Sequence, residues 1–284
     1  MTMRFKALII SALIASATLT ASAGFPAETQ QGTTPAAMTS SSDDDSTYDD
    51  LKNLKKFYHN LEGYGRLGYS IGGTAPMGMP AEIRKLNKFI LQPNISFGVD
   101  GLKPVGKNWG ILVGVHFENK AMHIDATVKN YHMQITQGGQ TLEGMFTGCN
   151  DSHAVQWTFT VPIQAVYKFN DKWKLKFGPY FSYLTSCNFD GFAYDGHLRV
   201  DDPTGAKVLL GTTDEERGNY DFKDEIRKCQ WGLGVGVDYF FTRRFGVYAD
   251  LNWGVSGFFK GSFKTLDQTL YPIYGTIGIA YKIK

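Results

Sequence analysis

The sequence is poor in several features that would point elsewhere. Beyond residue 23 no apolar run approaches the roughly 18 residues of a membrane-spanning helix, which excludes a polytopic helical membrane protein. Cysteine is scarce: three residues, Cys149, Cys187 and Cys229, allow at most one disulfide and exclude a disulfide-built scaffold. Lys and Arg are missing from residues 24 to 50, where Glu28, Asp43, Asp44, Asp45, Asp49 and Asp50 stand. No H-E-x-x-H, paired-cysteine or D-x-D-x-D-G spacing occurs, so no cofactor and no metal are expected.

Aromatic residues and glycine are abundant instead, at 14% aromatic and 32 glycines among 284 residues. Disordered chains are poor in aromatics, so these rings must be buried in protein or in something else apolar.

The first 23 residues read as a secretory signal: Arg4 and Lys6, an apolar stretch from Ala7 to Ala17, then Ala21-Ser22-Ala23 as a cleavage site. Past this point basic and acidic residues balance, so nucleic acid is not an expected partner. Residues 24–61 read as a flexible periplasmic segment, acidic and Ser/Thr-rich, with a short amphipathic helix over 51–60 or a simple run-in to a strand.

From Gly63 the hydrophobic period becomes two, the signature of strands. Eight segments alternate: around Leu67–Ile71, Phe89–Val99, Trp109–Phe117, Val155–Phe169, Trp173–Tyr183, Trp231–Phe241, Phe245–Val255 and Ile273–Ile283. Three connections are tight turns, at Gly106-Lys107-Asn108, Asn170-Asp171-Lys172 and Thr242-Arg243-Arg244. The other four, near residues 74–88, 138–153, 188–228 and 260–271, are long. Short turns alternating with long loops predict an all-β fold, an eight-stranded antiparallel transmembrane β-barrel over residues 62–284, with short periplasmic turns and long extracellular loops. Pro93, Pro162, Pro179 and Pro272 fall within these segments and predict bulges or strand starts, because a closed sheet has no edge to excuse a missing N–H.

Alternation alone does not choose between lipid and water outside. Tryptophan placement does. Trp109, Trp157, Trp173, Trp231 and Trp253 share the parity of the Ile/Leu/Val set and sit near segment ends, as in an aromatic girdle flanking an apolar band about 25 Å tall. A soluble barrel or sandwich would turn them inward. The opposite parity holds glycine with Arg66, Asp100, Glu118, Lys174, Lys176, Asp238 and Asp250, which suits a narrow lumen filled by side chains. Buried charges need partners, and Arg66 with Asp100 and Lys176 with Asp238 are compatible in register.

Counting strand heights from Trp173 and Phe241 brings Cys187 and Cys229 to one level on adjacent strands, favouring a disulfide between them, with free thiols the open alternative. For chemistry, His123, Asp125 and His153 near the outer rim, and the run Asp151-Ser152-His153, are the candidates. Solvated loop residues explain them as simply, so no catalytic residues are expected and the protein is not read as an enzyme.

The segments KNWGILVGVHFENKAM from Lys107, DKWKLKFGPYFSYL from Asp171 and RRFGVYADLNWG from Arg243, with the terminal IYGTIGIAYKIK, resemble the PorT-like outer-membrane β-barrel family of Gram-negative bacteria. The resemblance spans about residues 62–284 and implies residence in the cell outer membrane. It also implies one alternative role, as an accessory component of a protein-secretion machine. The reading from the residues is a structural or surface-binding protein whose partners are outer-membrane lipid and a protein or surface ligand met through the extracellular loops. The remaining alternative is a rim-located lipid-modifying enzyme or protease.

Overall fold

A computed structural model describes residues 60–78, 81–263, 265 and 269–284. The expected signal sequence and the segment from residue 24 to 59, with its short helix, lie outside the described residues. The strands are β1 (Glu62–Pro76), β2 (Ile83–Ile90), β3 (Ile95–Pro104), β4 (Trp109–Gln137), β5 (Gln140–Lys168), β6 (Trp173–Val200), β7 (Lys207–Leu210), β8 (Gly218–Asp221), β9 (Cys229–Phe240), β10 (Phe245–Gly254) and β11 (Leu270–Lys282), all paired antiparallel.

Eight of them close a ring. β1 pairs with β3, β3 with β4, β4 with β5, β5 with β6, β6 with β9, β9 with β10, β10 with β11, and β11 returns to β1. Closure leaves these strands no edge within the ring, so the backbone donors and acceptors find partners there. The three tight turns join β3 to β4, β5 to β6 and β9 to β10, all at one end of the ring, where β1 begins and β11 finishes.

At the opposite end the structure departs from the sequence expectation. Residues 138–153 are not a loop. β4 continues to Gln137, reverses through Gly138 and Gly139, and β5 runs straight back. Both glycines have positive φ, 57° and 81°, the left-handed geometry that a two-residue hairpin turn requires and that glycine adopts without strain. Likewise β6 continues to Val200, and residues expected in a long loop form β7 and β8, both laid against β6. The second expected strand is also divided. β2 pairs only with the extended part of β4, and the chain breaks over residues 91–94 before β3 enters the ring.

Pro93 falls in that break and Pro272 near the start of β11. Pro162 and Pro179 do not make bulges. They lie almost opposite one another on β5 and β6, where pairing lapses between Pro162↔Tyr180 and Ala165↔Phe177 without any change of register. The β4–β5 ladder also lapses beside Pro162, between Val113↔Ile163 and His116↔Thr160, again without a change of register, as expected where a ring nitrogen has no hydrogen to donate.

Within the ring the two faces differ sharply. Outward residues such as Leu67, Phe97, Ile111, Phe177, Leu233, Leu251 and Ile277 are between 45% and 67% exposed. Inward residues are buried in layers. Nearest the turns is an apolar layer of Tyr64, Leu102, Leu112, Val166, Phe240, Tyr248 and Ala280. A charged and hydroxyl-rich layer follows. Beyond it, inside the extended β4–β5–β6 sheet, a second apolar core gathers Met122, Met133, Phe146, Leu198 and an aromatic cluster of Phe189, Tyr220, Phe222, Phe258 and Phe259.

Candidate functional site

The charged layer is built from side chains two residues apart on neighbouring strands, all on the inward parity. Arg66 of β1 spans it. Its Nη1 and Nη2 donate to the two carboxylate oxygens of Asp238 at 3.1 and 2.9 Å, its Nε bonds Asp100, and its guanidinium lies 4.8 Å from the centre of the Tyr248 ring. Lys176 bridges Asp238 at 2.8 Å and Asp250 at 2.7 Å. His116 completes the cluster through Asp100 at 2.8 Å. Both pairs matched in the sequence, Arg66 with Asp100 and Lys176 with Asp238, are in contact. The link that joins them, Arg66 to Asp238, crosses the interior between strands that are not neighbours.

Glycine makes room for this. A Cβ on Gly114 would stand 1.9 Å from an Asp100 carboxylate oxygen, and one on Gly236 would stand 1.8 Å from Asp250. Inward glycine on one strand is therefore the space that a carboxylate on the next occupies.

Glu118 lies one step further from the turns, paired with Lys120 at 2.7 Å and accepting from Thr160 at 2.7 Å. Lys174 lies on the turn side, bonded to Tyr64 and 3.5 Å from Glu62. Glu62 also receives Lys168 at 2.9 Å and lies 3.6 Å from Lys282. Sequence reading missed Glu62 and Lys120. Both keep the inward parity, so extending the period-two pattern past the apolar segments finds them. The layer leaves a small cavity among Asp100, His116, Glu118, Lys176 and Asp250, with room for about one water molecule.

The tryptophans all face outward. Trp109, Trp173, Trp231 and Trp253 are exposed, and Trp157 is half-buried, stacked on Phe117 at 5.1 Å. At the turn end Trp109 packs on Tyr167 at 4.9 Å, Trp173 on Tyr239 at 4.6 Å and Phe245 on Tyr281 at 4.9 Å. Between the two aromatic levels lie eight to ten residues of strand, or about 20–25 Å of height at ordinary strand rise and a tilt near 40°.

The cysteine reading needs correction. Cys149, Cys187 and Cys229 are free. The ladder pairs Trp173 with Tyr239 and Tyr183 with Cys229, so Cys187 stands four residues beyond the level of Cys229. That is about 13 Å along the strand, out of reach of a disulfide. Phe241, the ruler used on that side, belongs to the turn.

The rim candidates lie on the outward face of the extended sheet. His123 bonds Asp151 at 3.0 Å, His153 lies 3.6 Å from Asp190, and the two imidazoles meet edge to face with their centres 5.7 Å apart. Ser152 points to the other face, bonded to Tyr220 at 2.8 Å, so Asp151, Ser152 and His153 do not converge. Burial pushes the Tyr220 phenol above its ordinary value. On β8, burial opposes but bonds from Lys223 outweigh it, holding the Asp221 carboxyl below its usual range. Among the described residues no group of three or more His, Cys, Asp or Glu is placed to hold a metal ion.

A closed antiparallel ring with aliphatic and aromatic residues outside and paired charges inside defines a protein turned inside out relative to a water-soluble one. Residues 36–260 match the model of the outer membrane protein beta-barrel domain, and the chain belongs to that family. It is accordingly a protein of the outer membrane. No curated protein matches the sequence. Among solved structures it is similar to Ail, the attachment invasion locus protein of Yersinia pestis, in complex with the heparin analogue sucrose octasulfate. That similarity has 11% identity and a TM-score of 0.35 and covers 79% of this chain and 99% of that one. It is also similar to the outer membrane protein OprG from Pseudomonas aeruginosa, at 14% identity and a TM-score of 0.31, covering 78% and 95%. A third similarity is to the translocator domain of autotransporter NalP from Neisseria meningitidis, at 12% identity and a TM-score of 0.23, covering 86% and 99%.

Proposed function

We propose that the protein is an eight-stranded transmembrane barrel with its tight turns in the periplasm, its extended β4–β5–β6 sheet outside the cell, and a lumen closed by its own side chains. Its role is structural or surface-binding, carried by the extended sheet and its connections, with no chemistry in the lumen. The PorT-like resemblance belongs to this reading as its narrower form, with service beside a secretion apparatus as the activity it adds. The observation that supports the proposal is the interior: among the described residues an apolar layer, a charge network and a second apolar core follow one another along the ring, with a cavity for about one water molecule in the charged layer.

Two measurements test it. In planar lipid bilayers the purified full chain is expected to give no stepwise conductance above baseline, whereas ion currents in steps typical of an open pore would overturn the filled lumen. The orientation is tested by a membrane-impermeant maleimide on intact cells, with Cys149, Cys187 and Cys229 replaced by serine. A cysteine at the exposed Gln140, beside the hairpin turn, is expected to label. One at the exposed Lys107 in the turn between β3 and β4 is expected to label only after lysis. The reverse pattern would invert the topology.

A further inference from the structure

We propose that the turn end of the ring carries a binding surface for anionic phospholipid headgroups, running around its whole circumference. The proposal rests on the membrane-spanning reading above and adds the chemical class of lipid recognised at one end.

The exposed cations of this end are Lys107 between β3 and β4, Lys172 between β5 and β6, Arg243 and Arg244 between β9 and β10, and Lys284 after β11. Each of the three turns at this end therefore contributes at least one. Among the described residues the acids near them are few: Asp171 is exposed, and Glu62 is already engaged by Lys168, Lys174 and Lys282.

Position along the strands matters as much as charge. Lys107 lies two residues before Trp109, Lys172 one before Trp173, and Arg244 one before Phe245, with its Nη1 3.4 Å from the Tyr281 hydroxyl. At ordinary rise and tilt, one or two residues place each charge about 3–5 Å beyond an aromatic ring. Aromatic rings of this kind sit at the boundary of the hydrocarbon, so the cations fall at the depth of the phosphates.

The other end lacks this arrangement. The first outward positions beyond Trp157, Trp231 and Trp253 are Val155, Cys229 and Val255. Arg227 there is engaged with the backbone carbonyls of Gly257 and Phe259, and the exposed Lys228 stands three residues, about 8 Å, beyond Trp231, further out than the turn-end cations are from their rings. Arg84, Lys85 and Lys88 belong to β2 alone, which covers one side of β4. A protein partner would select one patch of a rim. Lipid surrounds a barrel on every side, and cations spread over every turn fit that occupant.

The test uses the full chain in phosphatidylcholine vesicles containing about 10 mol% of a brominated lipid, either phosphatidylglycerol or phosphatidylcholine, with tryptophan quenching as the readout. Two variants separate the ends. Trp157→Phe with Trp231→Phe and Trp253→Phe leaves Trp109 and Trp173; Trp109→Phe with Trp173→Phe leaves the other three. Brominated phosphatidylglycerol is expected to be enriched about threefold over brominated phosphatidylcholine around the turn-end pair, from the attraction of several surface cations to anionic lipid. No such excess is expected at the other end. The excess should vanish in about 0.5 M salt, where the Debye length falls to a few ångströms, and in the variant Lys107→Gln, Lys172→Gln, Arg243→Gln, Arg244→Gln.

Equal quenching by the two lipids at the turn end overturns the proposal. So does an excess at the opposite end, or one that survives both salt and charge removal. If neither lipid quenches either set, the membrane-spanning reading itself fails, and that result is distinct from the others.

Discussion

Replacing Arg66 by methionine is expected to destabilise the folded ring by about 3–5 kcal/mol, the usual cost of removing one partner from a buried ion pair. The size follows from what is left behind. Methionine fills much of the volume of the arginine stem, so the apolar contact with Tyr248 is largely kept. Asp238 then retains only Lys176, and Asp100 only His116. Both carboxylates remain buried, where water cannot replace the lost donors. The measurement is urea unfolding of the protein folded into phospholipid vesicles, read as a lower midpoint with little change in slope. Arg66→Lys keeps the charge but loses the two-pronged grip on Asp238, so a smaller loss of about 1–2 kcal/mol is expected. An unchanged midpoint for Arg66→Met would mean that the carboxylates are hydrated and the layer is open to water.

Much of the ring was legible in the sequence because lipid and lumen impose opposite demands on successive residues. Wherever a strand crosses the belt, as at Trp231-Gly232-Leu233-Gly234-Val235-Gly236, one parity is apolar and the other small or polar, and a period of two stands out. Tight turns fix register as well as direction. The β5–β6 and β9–β10 turns put the start of β6 and the end of β9 at one level, which makes Lys176 and Asp238 readable as neighbours from the sequence.

The same contrast explains what was not legible. Above the belt the outward residues of β4 and β5 turn polar, as at His123, Asp125, Asp151 and His153, while the inward ones mix Met122 and Ala154 with Ser152. Both faces then look alike in hydropathy. A continuous strand reads as a loop, although Gly138-Gly139 was a visible hairpin signal. Register beyond the turns is also lost to bulges. The β5–β6 ladder shifts at Trp157/Thr158 and again at Thr147/Cys149. Cys187 was misplaced against Cys229 for another reason: the β6–β9 ladder runs without a shift, but Phe241, the landmark counted from, belongs to the turn. The Arg66–Asp238 bond was beyond reach for a different reason: it joins strands that never pair, and only closure of the ring brings them face to face.

Val235→Arg asks directly what surrounds the ring. Val235 lies on β9 midway between Trp231 and Tyr239, flanked in register by Phe177 of β6 and Leu251 of β10, and is 46% exposed. At a water-facing position an exposed valine replaced by arginine changes stability by about 0.5 kcal/mol or less. Facing hydrocarbon at mid-depth, the same change costs about 2–4 kcal/mol, and the cost falls to about 0–1 kcal/mol near the interface. Phe241→Arg, exposed in the turn that directly follows the same strand, supplies that second point. We expect urea titrations in phospholipid vesicles to show the large loss for Val235→Arg and a small one for Phe241→Arg. Depth dependence is the decisive feature, because a packing defect in a soluble sheet has no reason to follow distance from a membrane midplane. Losses equal at both positions, or negligible at Val235, would place water against this belt and remove the physical basis for a membrane-spanning ring.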